Sequence, residues 1–225
     1  MTSPNLELLP SLGKLARGLS ALFWGLPAAL IVCAETAGIQ SLEPIGIIPA
    51  LIVNALLLFG LWQMGSFQKQ ERPWRSALDR AKLLGLVNFG LCPFLYWRNK
   101  MPAENFFEAA LFVLALSAIL FLFNLNVVLK QLGAMLPDET LRQETKQFTL
   151  LNRWLLVLWL VFITALLVAP HLVHFPSLNQ AFLFSVRRAE VAILLFLGLA
   201  PLAVTMALIW KTKEVIFDSV FGARE

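Results

Sequence analysis

The sequence predicts an all-α, polytopic membrane helix bundle with six transmembrane helices and both termini in the cytoplasm. Three observations lead to this fold class. Of the 225 residues, 59% are hydrophobic and 14% are charged, whereas a soluble domain carries about 25% charged residues. The apolar residues form blocks of about 20, the length that crosses a bilayer core as a helix. Lys and Arg are concentrated in alternate connections between these blocks, as expected when basic loops stay in the cytoplasm.

The blocks define a single integral membrane domain over residues 1–225, with predicted spans at about 19–39, 45–64, 77–97, 106–129, 151–169 and 191–210. The first block follows Lys14 and Arg17 and could imitate a signal peptide. It continues to Ile39, beyond the length of about 7–15 residues that such apolar regions have, so a retained helix is the better interpretation. Prolines inside the blocks predict kinks near Pro27, Pro93 and Pro201.

The third span decides the topology. Leu83–Trp97 alone would rise only about 22 Å as a helix, and a start at Ala77 extends it to about 31 Å. With six spans, fourteen of the 18 Lys and Arg residues lie on the side of the termini. If Leu83–Trp97 instead lay in the interface, five spans would remain and the split would be eleven to seven. The positive-inside rule favours the steeper split and therefore six spans.

The segments between and after the predicted spans also allow predictions. Asp138 is a candidate N-cap for a helix that continues into the fifth block and stops at Pro170. His171–Ala189 is expected to be a loop, and the tail from Glu214 is expected to lie at the interface. The basic stretch Lys69–Lys82 either anchors the topology or binds anionic lipid headgroups.

Three intramembrane polar residues are the candidate site residues: Glu35, Asn54 and Asn88. A carboxylate inside a span is costly, which makes Glu35 a candidate for a proton or cation role, but it lies near the outer end, where contact with water is cheap. Asn54 and Asn88 fall near mid-membrane and could bind a ligand or fix helix pairing by hydrogen bonds. Asn124 and Asn126 are expected nearer the inner rim, on different faces of their helix.

The sequence gives little support for binding of a metal, a cofactor or nucleic acid. Cys33 and Cys92 are the two cysteines and form no CxxC pair, and His171 and His174 lack a third metal ligand nearby. We therefore predict no metal and no cofactor. Nucleic acid is excluded as a partner, because the basic residues lie between apolar blocks and not in a separate patch.

For function, the leading hypothesis is a non-catalytic subunit, scaffold or assembly factor in the plasma or an inner membrane. Its expected partners are the lipid bilayer and either another membrane protein or a second copy of the chain. A small-solute or lipid transporter is the alternative, motivated by Glu35, Asn54 and Asn88. A membrane-embedded enzyme is the second alternative and lacks a nucleophile–base pair.

The cysteines give one expectation about helix order. In the six-span topology the first and third spans run in the same direction, and Cys33 and Cys92 both lie about 8–9 Å below the outer rim. We therefore hypothesise that these two spans are neighbours and that oxidation can join the two thiols.

Overall fold

A computed structural model describes residues 4–38, 45–68, 70–101, 104–136, 139–172 and 180–221, and the regular elements in these ranges are α-helices. They are α1 Pro4–Gly38, α2 Ile48–Met64, α3 Arg72–Leu91, α4 Pro93–Lys100, α5 Asn105–Met135, α6 Glu139–Leu172 and α7 Gln180–Phe221. The all-α prediction is confirmed for this part of the chain.

Two of the described helices are long and apolar enough to cross a membrane, Pro10–Thr36 within α1 and Phe106–Met135 within α5. The apolar helix α2 is shorter, at 17 residues, and has proline in its first turn, where the missing N–H costs no helical hydrogen bond. These three helices correspond to the first, second and fourth predicted spans. α1 begins well before the predicted boundary at residue 19, since its apolar face already starts in the preceding turns with Leu15.

The third predicted span, 77–97, consists of two consecutive helices. α3 ends at Leu91, the chain turns at Cys92, and α4 starts at Pro93. Pro93 has no amide hydrogen for the carbonyl of Phe89, and the Cys92 thiol donates to that carbonyl instead, at 3.2 Å. The break between α3 and α4 therefore lies at Pro93, where the sequence predicts a kink.

The last two helices are longer than predicted. α6 continues past Pro170 to Leu172, because a proline so near a helix end removes only one hydrogen bond. α7 already begins at Gln180, so the loop predicted over 171–189 is wrong for 180–189, a stretch without proline or glycine that favours a helix. The tail is helical to Phe221. The predicted N-cap Asp138 and residues 173–179 lie outside the described residues.

The helices close into a bundle. α1 packs against α2 and α7, α2 against α3, α3 against α5, and α6 against both α5 and α7. α5 also contacts α7, and α4 contacts both α1 and α5. At the α1–α4 contact, the side-chain amide of Asn99 donates to the Thr36 carbonyl. The first predicted span therefore contacts the third at α4, the last part of that span.

α1 and α2 approach each other closely at two glycines. A Cβ on Gly18 would lie 2.6 Å from the Gly60 carbonyl oxygen, and a Cβ on Gly60 would lie 2.9 Å from the Gly18 carbonyl oxygen. The leucines beside this contact, Leu22 and Leu61, are fully buried. Small residues that let two backbones meet are typical of helix pairs in membranes.

The outward faces of several helices are apolar. On α2 the exposed side chains include Ile48, Ile52, Phe59 and Trp62, with Trp62 68% exposed. They recur at helical spacing along the whole helix, and α2 carries no charged residue. A surface helix of a water-soluble protein would be polar on this face.

Candidate functional site

Among the residues that the structure describes, Asn126, Asn152 and Thr205 form a buried cluster joined by hydrogen bonds, which we call the amide cluster. Each residue comes from a different helix, α5, α6 and α7 respectively. Their exposed fractions are 2%, 0% and 0%. Buried polar groups at a helix interface are costly unless they are paired, so this cluster must either hold the helices together or bind something.

Thr205 is the centre of the amide cluster. Its hydroxyl donates to the Pro201 carbonyl at 2.8 Å and accepts from the side-chain amides of Asn126 at 3.0 Å and Asn152 at 2.9 Å. A hydroxyl has one hydrogen and two lone pairs, so Thr205 uses its full capacity. One side chain thus joins three helices.

The amide hydrogens of the two asparagines are also used within the bundle. Asn126 donates its second hydrogen to the Leu122 carbonyl at 2.7 Å, and Asn152 donates its second hydrogen to the Pro201 carbonyl at 3.2 Å. Their side-chain oxygens are buried and have no hydrogen-bond partner among the described residues. The cluster therefore offers hydrogen-bond acceptors and no free donor.

Pro201 contributes its carbonyl to the amide cluster as an acceptor. The proline lies inside α7 and cannot donate to the preceding turn, which weakens the helical hydrogen bonding there. Here Thr205 and Asn152 both donate to the Pro201 carbonyl.

The residues seven positions before and after each member of the amide cluster form two further layers of the same interface. Seven residues correspond to about 10 Å along a helix axis. Towards the ends of α5 and α7, the layer contains Gly133, Thr145 and Thr212, and a Cβ on Gly133 would lie 3.1 Å from the Thr145 hydroxyl. Both threonines are buried. Next to this layer, Lys211 of α7 forms an ion pair with Glu144 of α6. The interface of the three helices is therefore polar over at least two turns.

In the opposite direction, the layer contains Ile119, Trp159 and Gly198. The indole of Trp159 lies over Gly198, where an added Cβ would be 3.5 Å from Trp159 Cζ2. The Trp159 Nε1 is buried and has no hydrogen-bond partner among the described residues. An unused donor thus lies one layer from the unused acceptors of the amide cluster.

The three residues predicted from the sequence lie on three other helices. Glu35 is half-buried near the end of α1 and has an interaction partner. Asn54 on α2 is 7% exposed and donates to the Ala50 carbonyl of its own helix at 2.9 Å. Asn88 on α3 is 7% exposed, and its side-chain oxygen has no partner among the described residues. The roles of these three residues stay predictions.

Sequence reasoning recognised Asn126 only as a polar residue in a span, and missed Asn152 and Thr205. Asn152 lies at the start of the fifth apolar block, where an asparagine is unremarkable. The available signal was the spacing of Pro201 and Thr205, because a threonine four residues after a helix proline can donate to the proline carbonyl.

The chemistry open to the amide cluster is limited. It has no titratable side chain, so it cannot transfer protons at neutral pH. No group of three or more His, Cys, Asp or Glu side chains that could hold a metal occurs among the residues that the structure describes. The side chains of His171 and His174 lie outside that part. What remains is helix attachment, and acceptance of hydrogen bonds or weak coordination through the two free amide oxygens.

Comparison with known proteins gives no family for this chain. No protein-family model, no curated protein and no solved structure matches it.

Proposed function

We propose that this chain is a multi-pass integral membrane protein with six spans that acts as a non-catalytic subunit, scaffold or assembly partner. The observation that carries the membrane location is the outward apolar face of the helices. In α5, only 28% of the most apolar window is buried inside the bundle. A core helix of a soluble protein would be mostly buried, whereas a span exposes its apolar side chains to lipid.

The other outward faces agree with this location. α6 exposes Leu151, Trp154, Leu158 and Val161, with Trp154 67% exposed and no charged residue among the side chains 154–161. Together with α2 and α5, these side chains form apolar surfaces on several sides of the bundle. Water would disfavour such surfaces by about 25 cal/mol per Å². A bilayer removes that cost.

The non-catalytic assignment is supported by where the polar groups lie. In the amide cluster every side-chain hydrogen that can be donated is used between α5, α6 and α7. These bonds fix the positions of helices that lipid alone would not press together. A bundle held this way provides a stable surface on which another membrane protein, or a second copy of the chain, can pack.

The test is the composition of the protein in its native membrane. We expect the full-length chain, extracted with mild detergent, to run as a complex of fixed stoichiometry well above its own 25.1 kDa. Resistance to alkaline extraction from the membrane is expected in the same preparation. A peripheral protein released by alkali, or a monomer in several mild detergents, would contradict the proposal.

A small-solute transporter is the second candidate, and one specific observation favours it. The free oxygens of Asn126 and Asn152 and the free Trp159 Nε1 are buried polar atoms at neighbouring layers of the same three-helix interface. They could accept from and donate to a small polar solute. For a transporter, uptake into reconstituted vesicles would be lost in Asn126→Leu. It would be kept in Asn124→Leu, since the Asn124 amide donates to the Leu120 carbonyl of its own helix and to no other described residue.

A further inference from the structure

Helix α3 has two faces of different character. Its buried face packs into the bundle through Trp74, Ala77, Leu78 and Ala81, none of them more than 6% exposed. Another face, at the same spacing of three and four residues, is formed by Arg72, Arg75, Ser76, Asp79, Arg80, Leu83 and Leu84. The first five of these side chains are all exposed.

This second face lines an open groove with a volume of about 710 Å³, which Asn124 of α5 completes. The groove is amphipathic along its length. Its beginning carries the guanidinium groups of Arg72, Arg75 and Arg80, and its end carries Leu83 and Leu84. The helix rises about 12 Å over the eight steps from Arg72 to Arg80, which is enough to extend through the headgroup region of one leaflet.

The charge of the groove is positive. Asp79 is the one acidic side chain among its lining residues, against three arginines. The Asp79 carboxylate is 3.9 Å from Arg75 Nε and 3.8 Å from Lys82 Nζ and is 60% exposed, so these pairs are weak. No described side chain forms an ion pair with Arg72 or Arg80. At least two guanidinium groups are therefore available for a ligand.

The apolar continuation of the groove determines what kind of anion fits. Leu83 is 64% exposed and Leu86, one turn further, is 60% exposed. An apolar surface of this kind lies in contact with acyl chains when α3 enters a bilayer from its basic end. The arginines then lie at the depth of the lipid phosphates, where long basic side chains are placed favourably.

We propose that this groove is a binding site for an anionic phospholipid. The guanidinium groups of Arg72, Arg75 and Arg80 bind the phosphate and headgroup, since planar guanidinium donors match phosphate oxygens in pairs. The first part of an acyl chain lies along Leu83 and Leu84. This inference rests on the proposed membrane location and adds a specific lipid ligand to it.

The test compares two triple variants of the purified, delipidated full-length chain in neutral detergent. Arg72→Gln, Arg75→Gln and Arg80→Gln together remove the groove charges. The matched control, Lys14→Gln, Lys130→Gln and Lys146→Gln, removes three exposed charges elsewhere. Retention of phosphatidylglycerol, measured by native mass spectrometry against phosphatidylcholine, should fall about tenfold to a hundredfold in the groove variant and little in the control.

A neutral variant tests the shape of the groove. Ser76→Trp places a large side chain between the arginines without changing the charge, and it should also reduce retention of phosphatidylglycerol. Inorganic phosphate at millimolar concentration should not displace the lipid, because it lacks the acyl chain that contacts Leu83 and Leu84.

Three results would overturn the proposal: equal losses in both triple variants, full retention in the groove variant, or displacement by inorganic phosphate alone. Alkaline extraction of the groove variant tests the membrane location separately from the lipid site. A variant that loses the lipid but stays in the membrane supports the site and leaves the location intact.

Discussion

The α1–α2 pair and the α5–α6–α7 unit hold their helices together in different ways. Between α1 and α2, the backbones meet at Gly18 and Gly60, and the surrounding contacts are leucines and Met64. Between α5, α6 and α7, hydrogen bonds centred on Thr205 join the helices. In a lipid environment the hydrophobic effect does not drive helices together, so either close packing or polar bonding must do so. This chain uses one device in each half.

The two devices differ in what they tolerate. A glycine contact leaves no space for any added atom, so it should fail abruptly. A hydrogen-bonded cluster loses one bond at a time and should fail gradually.

The largest effect is expected for Gly18→Ala. The new Cβ would lie 2.6 Å from the Gly60 carbonyl oxygen and 2.8 Å from Met64 Cγ, so α1 and α2 must move apart. We expect a loss of about 3 kcal/mol of stability, at the upper end of overpacking effects. Unfolding of the purified chain in mixed micelles measures it.

Gly13→Ala is the control on the same helix, because an added Cβ there has nothing within 4 Å. It should leave the stability unchanged or raise it by up to about 1 kcal/mol, since alanine favours a helix more than glycine does. Equal effects of the two substitutions would show that the close approach of α1 and α2 does not matter.

A smaller effect is expected for Thr205→Val. The substitution keeps the shape and removes the hydroxyl, so Asn126 and Asn152 each lose an acceptor and the Pro201 carbonyl loses a donor. Hydrogen bonds between membrane helices contribute about 0.6 kcal/mol on average and about 1.7 kcal/mol at most. The loss of two such bonds predicts about 1–2 kcal/mol in the same unfolding assay.

Thr212→Val is its matched control. Thr212 is equally buried and lies on the same helix, and its hydroxyl donates at 2.7 Å to the Leu208 carbonyl of its own helix. Its loss should cost about 0.5 kcal/mol or less. If both substitutions cost the same, the cluster would contribute no more than a local hydrogen bond.

The smallest perturbation tests the contact between α1 and α4. Oxidation with a mild membrane-permeant reagent should join Cys33 to Cys92 within one chain, because α4 begins directly after Cys92 and packs against α1. Both cysteines are free in the structure. The readout is a mass or mobility shift that disappears in Cys33→Ser and in Cys92→Ser. Persistence of the shift in either variant, or no shift under strong oxidation, would contradict the pairing.

The sequence predicted the apolar helices well and the helix ends poorly. Composition and block length identified α2 and the most apolar part of α5, because a bilayer requires long apolar segments. The extension of α1 before residue 19 and the extensions of α7 at both ends of its apolar block were missed, whereas the helix that leads into the fifth block was predicted. Charged segments such as the one around Lys146 still favour a helix, and helices continue until something interrupts them.

The candidate site was harder to predict than the fold. Glu35, Asn54 and Asn88 were predicted because they are polar residues inside predicted spans. The amide cluster depends instead on which helices are neighbours. Asn126, Asn152 and Thr205 come from three separate segments, and hydropathy gives no information on how those segments face each other. Only the pair Pro201 and Thr205, four residues apart on one helix, could have been recognised in advance.

The topology of the chain in the membrane tests the central claim most directly. A reporter that is active only outside the cytoplasm should be active when fused near Pro102 and silent when fused near Glu144, because six spans place these sites on opposite sides with cytoplasmic termini. The reverse result at both sites would establish the five-span alternative. Activity at neither site, with the chain released by alkali, would contradict a multi-pass membrane protein altogether.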